Sequence, residues 1–252
     1  MDPKLLAARK ARRKKLAKIY RALPEFNPVL SSGNLHSLGI QQQPMSLEGE
    51  DRPHYFARYD APVQKPDHEG LRHYVEFDQN PFYDAQMLGG FLSLYFDYCE
   101  LPEEESHPAG AYYRDWGDFN FGELSDLTWG SQWQVETTWH METKPVPHMV
   151  VSMFSDMLDV PGLYYGEVKT AIRVTHGRLR DPAFRGDITA PVLIFSAIGG
   201  HHLRVIEAYH DGEKLIMRTT KPYDMSKRDD NLINELTRWR LGGPTDKTTK
   251  LV

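Results

Sequence analysis

Residues 133–142 constrain the fold more than any other stretch. Trp133, Val135, Thr137, Trp139 and Met141 alternate with Gln134, Glu136, Thr138, His140 and Glu142. Period two with aromatic and β-branched residues is the pattern of a strand with one buried face. A lone strand is not stable, so the chain must build a sheet. Further strands are expected at 191–198, an apolar run through Val192, Leu193, Ile194 and Phe195, and at 203–210. Asp211-Gly212 is a hairpin signal that returns the chain through a strand over 213–220. Helical spacing appears over Tyr83–Tyr98, with Met87, Leu88, Phe91, Leu92 and Tyr95 on one face, although Gly89-Gly90 weakens it. A helix is also expected over 148–158, carried by Met149, Val150, Met153, Phe154, Met157 and Leu158. A last helix is capped by Asp229-Asp230-Asn231 and turns Leu232, Ile233, Leu236 and Trp239 inward. The fold class that follows is α+β: an antiparallel sheet with helices packed on one face.

Charge divides the chain. Residues 1–22 hold nine basic residues against one acid, Asp2, and so carry +8 of a formal net charge of −5, leaving −13 for the rest. The segment suits a helix, with Pro3 where an early proline is tolerated and Leu5, Leu16, Ile19, Tyr20 and Leu23 at near-helical spacing. Arg9, Lys10, Arg12, Arg13, Lys14 and Lys15 resemble a nuclear-import or phosphate-binding cluster. A solvated terminal helix, or an arm folded onto its own acidic body, is the plainer reading. The expected organisation is a basic helical arm over 1–23, an irregular Pro-, Ser- and Gln-rich segment over 24–49, one α+β domain over 50–243 and a frayed tail over 244–252.

At 40% hydrophobic and 12% aromatic residues the composition is that of a folded chain. No apolar run is long enough to span a bilayer. The N-terminus lacks the apolar stretch of a secretory signal, and a single cysteine, Cys99, excludes an internal disulfide. An intracellular protein, cytoplasmic or nuclear, is expected.

The segments Trp133-Gln134-Val135-Glu136-Thr137-Thr138-Trp139, Ala190-Pro191-Val192-Leu193-Ile194-Phe195-Ser196, Arg204-Val205-Ile206-Glu207-Ala208-Tyr209, Asp211-Gly212 and Arg238-Trp239 are similar to segments in uncharacterised proteins of filamentous fungi. The resemblance covers roughly residues 115–245. It implies a fungal, intracellular origin and carries no activity and no functional residue with it.

Two constellations suggest chemistry. Glu167-Val168-Lys169 is a Glu-x-Lys pair downstream of Asp159. In metal-dependent nucleases the acids of such a trio hold Mg²⁺ and the lysine positions the attacking water. That site needs 163–174 as a strand. The stripe Val168, Ala171, Ile172, Thr175 and Leu179 favours a helix, which would hold Glu167 and Lys169 about 200° apart. His140 and Glu142 share a strand face with Glu136 and suit a metal or proton transfer, although that face is more simply the solvent side of the sheet. Tyr112, Tyr113, Trp116, Phe119, Phe121, Trp129, Trp133 and Trp139 read as packing rather than base-stacking. Phosphate-loop, nucleophile-elbow and zinc signatures are absent. The leading expectation is a non-enzymatic interaction protein, without cofactor, whose arm meets an acidic protein, a nucleic acid or an importer. The alternative is a Mg²⁺-dependent phosphodiesterase using Asp159, Glu167 and Lys169.

Overall fold

A computed structural model describes residues 2–24, 27–99, 111–114, 120–128, 130–141, 146–158 and 161–250. The class is α+β. Among the described residues five helices accompany a mixed sheet: α1 (Pro3–Ala22), α2 (Ser32–Leu38), α3 (Pro81–Tyr98), α4 (Tyr165–Arg180) and α5 (Asp230–Leu241). The strands are β1 (Val29–Leu30), β2 (Ile40–Pro44), β3 (Ala111–Arg114), β4 (Ser125–Asp126), β5 (Trp133–Met141), β6 (Met149–Ser155), β7 (Leu163–Tyr164), β8 (Val192–Ile198), β9 (His202–His210), β10 (Leu215–Thr219) and β11 (Tyr223–Asp224). The main sheet runs β2-β10-β9-β8-β6-β5-β3. β2 pairs parallel with β10 and β6 pairs parallel with β8. The remaining pairs are antiparallel, so the sheet is mixed rather than purely antiparallel. The parallel β6–β8 pair requires a long crossover, and α4 lies between these strands in sequence.

Helices cover both faces of the sheet, not one. Leu16 and Ile19 of α1 and Val168, Ala171 and Ile172 of α4 share one apolar core. Leu88 and Leu92 of α3 and Ile233 and Leu236 of α5 share the other. This two-sided covering explains why 148–158 is not the expected helix. Residues 149–155 form β6, and every one of them is buried. Met149, Val151 and Met153 enter the α1–α4 core, while Val150 and Phe154 enter the α3–α5 core. A strand buried on both faces shows a continuous apolar run and loses its visible alternation.

The expected domain limits also change. The segment 24–49 contains β1, α2 and β2, and Ser31 and Asn34 form a reciprocal cap on α2. The tail is tied down through Lys250: Ile188 N donates to Thr249 O at 2.8 Å, and Asp187 bridges to Lys250. At the other end Asp2 caps α1 by accepting from Lys4 N at 2.9 Å. The α1 helix is part of the domain, because Leu16 is fully buried beneath it. The Asp211-Gly212 signal marks a hairpin as expected, but four residues, 211–214, lie between β9 and β10.

Candidate functional site

The basic cluster is split by the helix into two faces. Arg9 and Arg12 point into the protein, at 7% and 9% exposure. Arg9 donates to the carbonyls of Leu179, Asp181, Phe184 and Asp187. Arg12 donates to Thr189 Oγ1 at 2.8 Å and to the carbonyls of His210 and Asp211. Burial lowers both guanidinium pKa values, Arg13 adding to the effect at Arg9. The arm is therefore not free. It is held by guanidinium groups that satisfy carbonyls where α4, the 182–187 turn and β9 end. Lys15 adds a bond to Gly212 O at 2.8 Å. Lys4, Lys10, Lys14, Lys18 and Arg21 remain exposed on the outward side. Spacings of four, four and three from Lys10 to Arg21 make one stripe about 16 Å long. The helix adds no acid to it beyond the capping Asp2.

Glu167 and Lys169 do not lie on the strand that the nuclease constellation needs. Asp159 lies outside the described residues. Glu167 and Lys169 lie on α4, and neither is a surface charge. Glu167 pairs with Arg204 through both carboxylate oxygens and also accepts from Tyr164 N at 2.9 Å, capping the helix. Lys169 Nζ sits 5.4 Å from the Trp133 ring centroid and 5.6 Å from that of Tyr165. Glu167 is thus committed to the helix start and Lys169 is packed against aromatic rings.

The expected sharing of one strand face by Glu136 and His140 does not hold. Glu142 lies outside the described residues. The β5–β6 register shifts between Val135 and Thr137. This bulge at Glu136 reverses the parity of the strand. Trp133 and Val135 enter the α1–α4 core, but Trp139 enters the α3–α5 core. Glu136 and His140 consequently face opposite sides of the sheet. Among the described residues no group of three or more His, Cys, Asp or Glu is placed to hold a metal. Burial pushes the Cys99 thiol up to about 12, against a hydrogen bond with Thr237 that lowers it, which opposes thiolate formation.

The bulge aims Glu136 at α3, where Gly89 and Gly90 leave room for it. A Cβ on Gly89 would stand 3.4 Å from Glu136 Oε2, and one on Gly90 would stand 3.7 Å from Oε1. Ser93 Oγ donates to Oε2 at 2.9 Å. Burial raises the pKa of this carboxyl, and Asp97 reinforces the shift against the Ser93 bond. The carboxylate opens on a groove of about 760 Å³ walled by Tyr74, Tyr83, Met87 and Phe91. The glycine pair looks from sequence like a flaw in a helix; it is the space over a carboxylate. The bulge has no local sequence signal. No helix among the described residues is long and apolar enough to cross a membrane. Comparison with protein-family models, with curated proteins and with solved structures finds no match to this chain.

Proposed function

We propose that this is a non-enzymatic interaction protein that presents the outward face of α1 to an acidic segment of a protein partner. One observation carries the reading: Arg9 and Arg12 fasten the helix from within, so Lys10, Lys14, Lys18 and Arg21 project as a pre-formed stripe. A pre-ordered binding helix costs little entropy on association. An acidic partner segment matches a stripe about 16 Å long. A nucleic-acid rod extends past the helix and brings its phosphates toward a remainder that carries −13, which opposes binding. An importer that reads successive basic side chains would have to extract Arg9 and Arg12 from their buried seats. The lone, free Cys99 suits a reducing, intracellular setting.

The test is fluorescence polarisation with a labelled polyglutamate peptide and a labelled DNA duplex, on the full chain and on a triple variant, Lys10→Glu, Lys14→Glu and Lys18→Glu. The peptide is expected to bind the wild type, weaken as salt rises and fail to bind the variant, whose unfolding midpoint stays near the wild-type value. Peptide binding that survives the charge reversal refutes the reading. So does tighter binding of the duplex, which would point to nucleic acid instead.

A further inference from the structure

We propose that the groove beside α3 binds an organic ammonium group, with Glu136 as its counter-ion. This groove is lined by no residue of α1. Among the described residues the only hydrogen bond to the Glu136 carboxylate comes from Ser93, a neutral donor, and no cation pairs with it. The groove lining adds a second acid, Glu76, and one histidine, His73, and contains neither lysine nor arginine. Arg228 lies 5.7 Å from the Phe91 ring centroid but is committed to Asp230 Oδ1 at 2.7 Å and to Leu71 O at 2.7 Å. An ionised carboxylate at the edge of an apolar wall is poorly solvated, and an incoming cation restores what burial removed.

The walls select the rest of the ligand. Tyr74 and Phe91 pack edge to face at 5.1 Å, and Tyr74 is fixed by its hydroxyl bond to Met225 O at 2.7 Å. Tyr83 and Met87 stand exposed at the rim, at 46% and 40%. Aromatic faces attract alkylammonium groups, and an exposed methionine adapts to an apolar tail. A groove of about 760 Å³ falls within the range of small-molecule sites. Three local features that each weaken the bare fold converge here: a bulge in β5, a glycine pair inside α3 and a desolvated carboxylate. Their coincidence is explained by a cationic occupant. The source is either a free amine or a lysine side chain of another chain, and the ammonium chemistry is common to both.

Isothermal titration of the full chain with phenethylammonium chloride tests this, with 2-phenylethanol as the neutral counterpart and Nα-acetyl-lysine methylamide as the side-chain probe. Saturable binding of the ammonium, at least about tenfold tighter than of the alcohol, is expected. Glu136→Gln should erase that preference, and Tyr83→Ala, at an exposed rim position, should weaken binding without unfolding the protein. Equal binding of the lysine probe assigns the site to a chain-borne ammonium; binding of phenethylammonium alone assigns it to a free amine. The proposal is overturned if the alcohol binds as tightly, if Glu136→Gln keeps the wild-type preference for the ammonium, or if neither cation saturates by about 10 mM.

Discussion

Removing residues 1–22 should unfold the domain rather than release a dispensable arm. The truncation uncovers the core that Leu16 and Ile19 close, at 0% and 6% exposure. Truncating one such side chain to alanine costs about 2–5 kcal/mol. It also strips the Arg12 donors from Thr189 Oγ1 and from the His210 and Asp211 carbonyls, and the Arg9 donors from the Leu179, Phe184 and Asp187 carbonyls. Each of these hydrogen bonds, exchanged for one to water, costs about 0.5–1.5 kcal/mol. The total is on the order of 10 kcal/mol, comparable with the whole stability of a domain. Leu16→Ala isolates one part and Arg12→Ala another, and each should lower the urea midpoint while leaving its slope intact. Tryptophan fluorescence and far-ultraviolet dichroism in urea would follow all three. A truncated chain that unfolds cooperatively at the wild-type midpoint would refute the docking of α1.

Three further outcomes are expected. Arg204→Ala should destabilise by about 3–5 kcal/mol, because it leaves Glu167 charged and fully buried, and denaturant unfolding measures this. Burial holds His148 and His210 down to about 4, so the unfolded chain binds more protons than the folded one between about pH 6.5 and 4. Stability should therefore be full above pH 6.5 and fall through that window by up to about 1.4 kcal/mol per pH unit for each histidine; His148→Phe should remove one share of the slope, and urea titrations at stepped pH would show whether it does. Gly242→Ala should cost more than 2 kcal/mol, roughly the scale of core overpacking, because the added Cβ collides with the backbone carbonyl of Ala57, which cannot swing aside. A thermal midpoint within about a degree of wild type would contradict it.

Where the physics was local, the pattern of residues predicted the element. The α3, β8, β9 and α5 segments follow from periodicity, and Asp229 caps α5 by accepting from Asn231 N and Leu232 N as expected. The helical stripe through Leu179 also decides correctly between helix and strand over 165–180. Where the outcome depended on partners distant in sequence, residue pattern failed. The β6 strand resembles a helix because apolar residues serve two cores at once. The α1 arginines resemble a solvated cluster because carbonyls more than 160 residues away, which accept them, leave no trace in composition. The Glu136 groove escaped because a one-residue bulge decides which face every later side chain of β5 takes.

The fastening of α1 has a consequence for how the chain is made. Arg9 and Arg12 bond partners 170 to 199 residues further along. During synthesis the first helix emerges long before those partners exist. At typical ribosomal speeds the interval is about 10 to 40 s. For that time Leu16 and Ile19 have no core to join, and both arginines lie open beside the five lysines. The domain closes only when β9 and the turn after it arrive. A nascent chain thus displays a fully cationic, half-apolar helix that the finished protein hides on one side, and any factor that reads such a helix has its opportunity before translation ends.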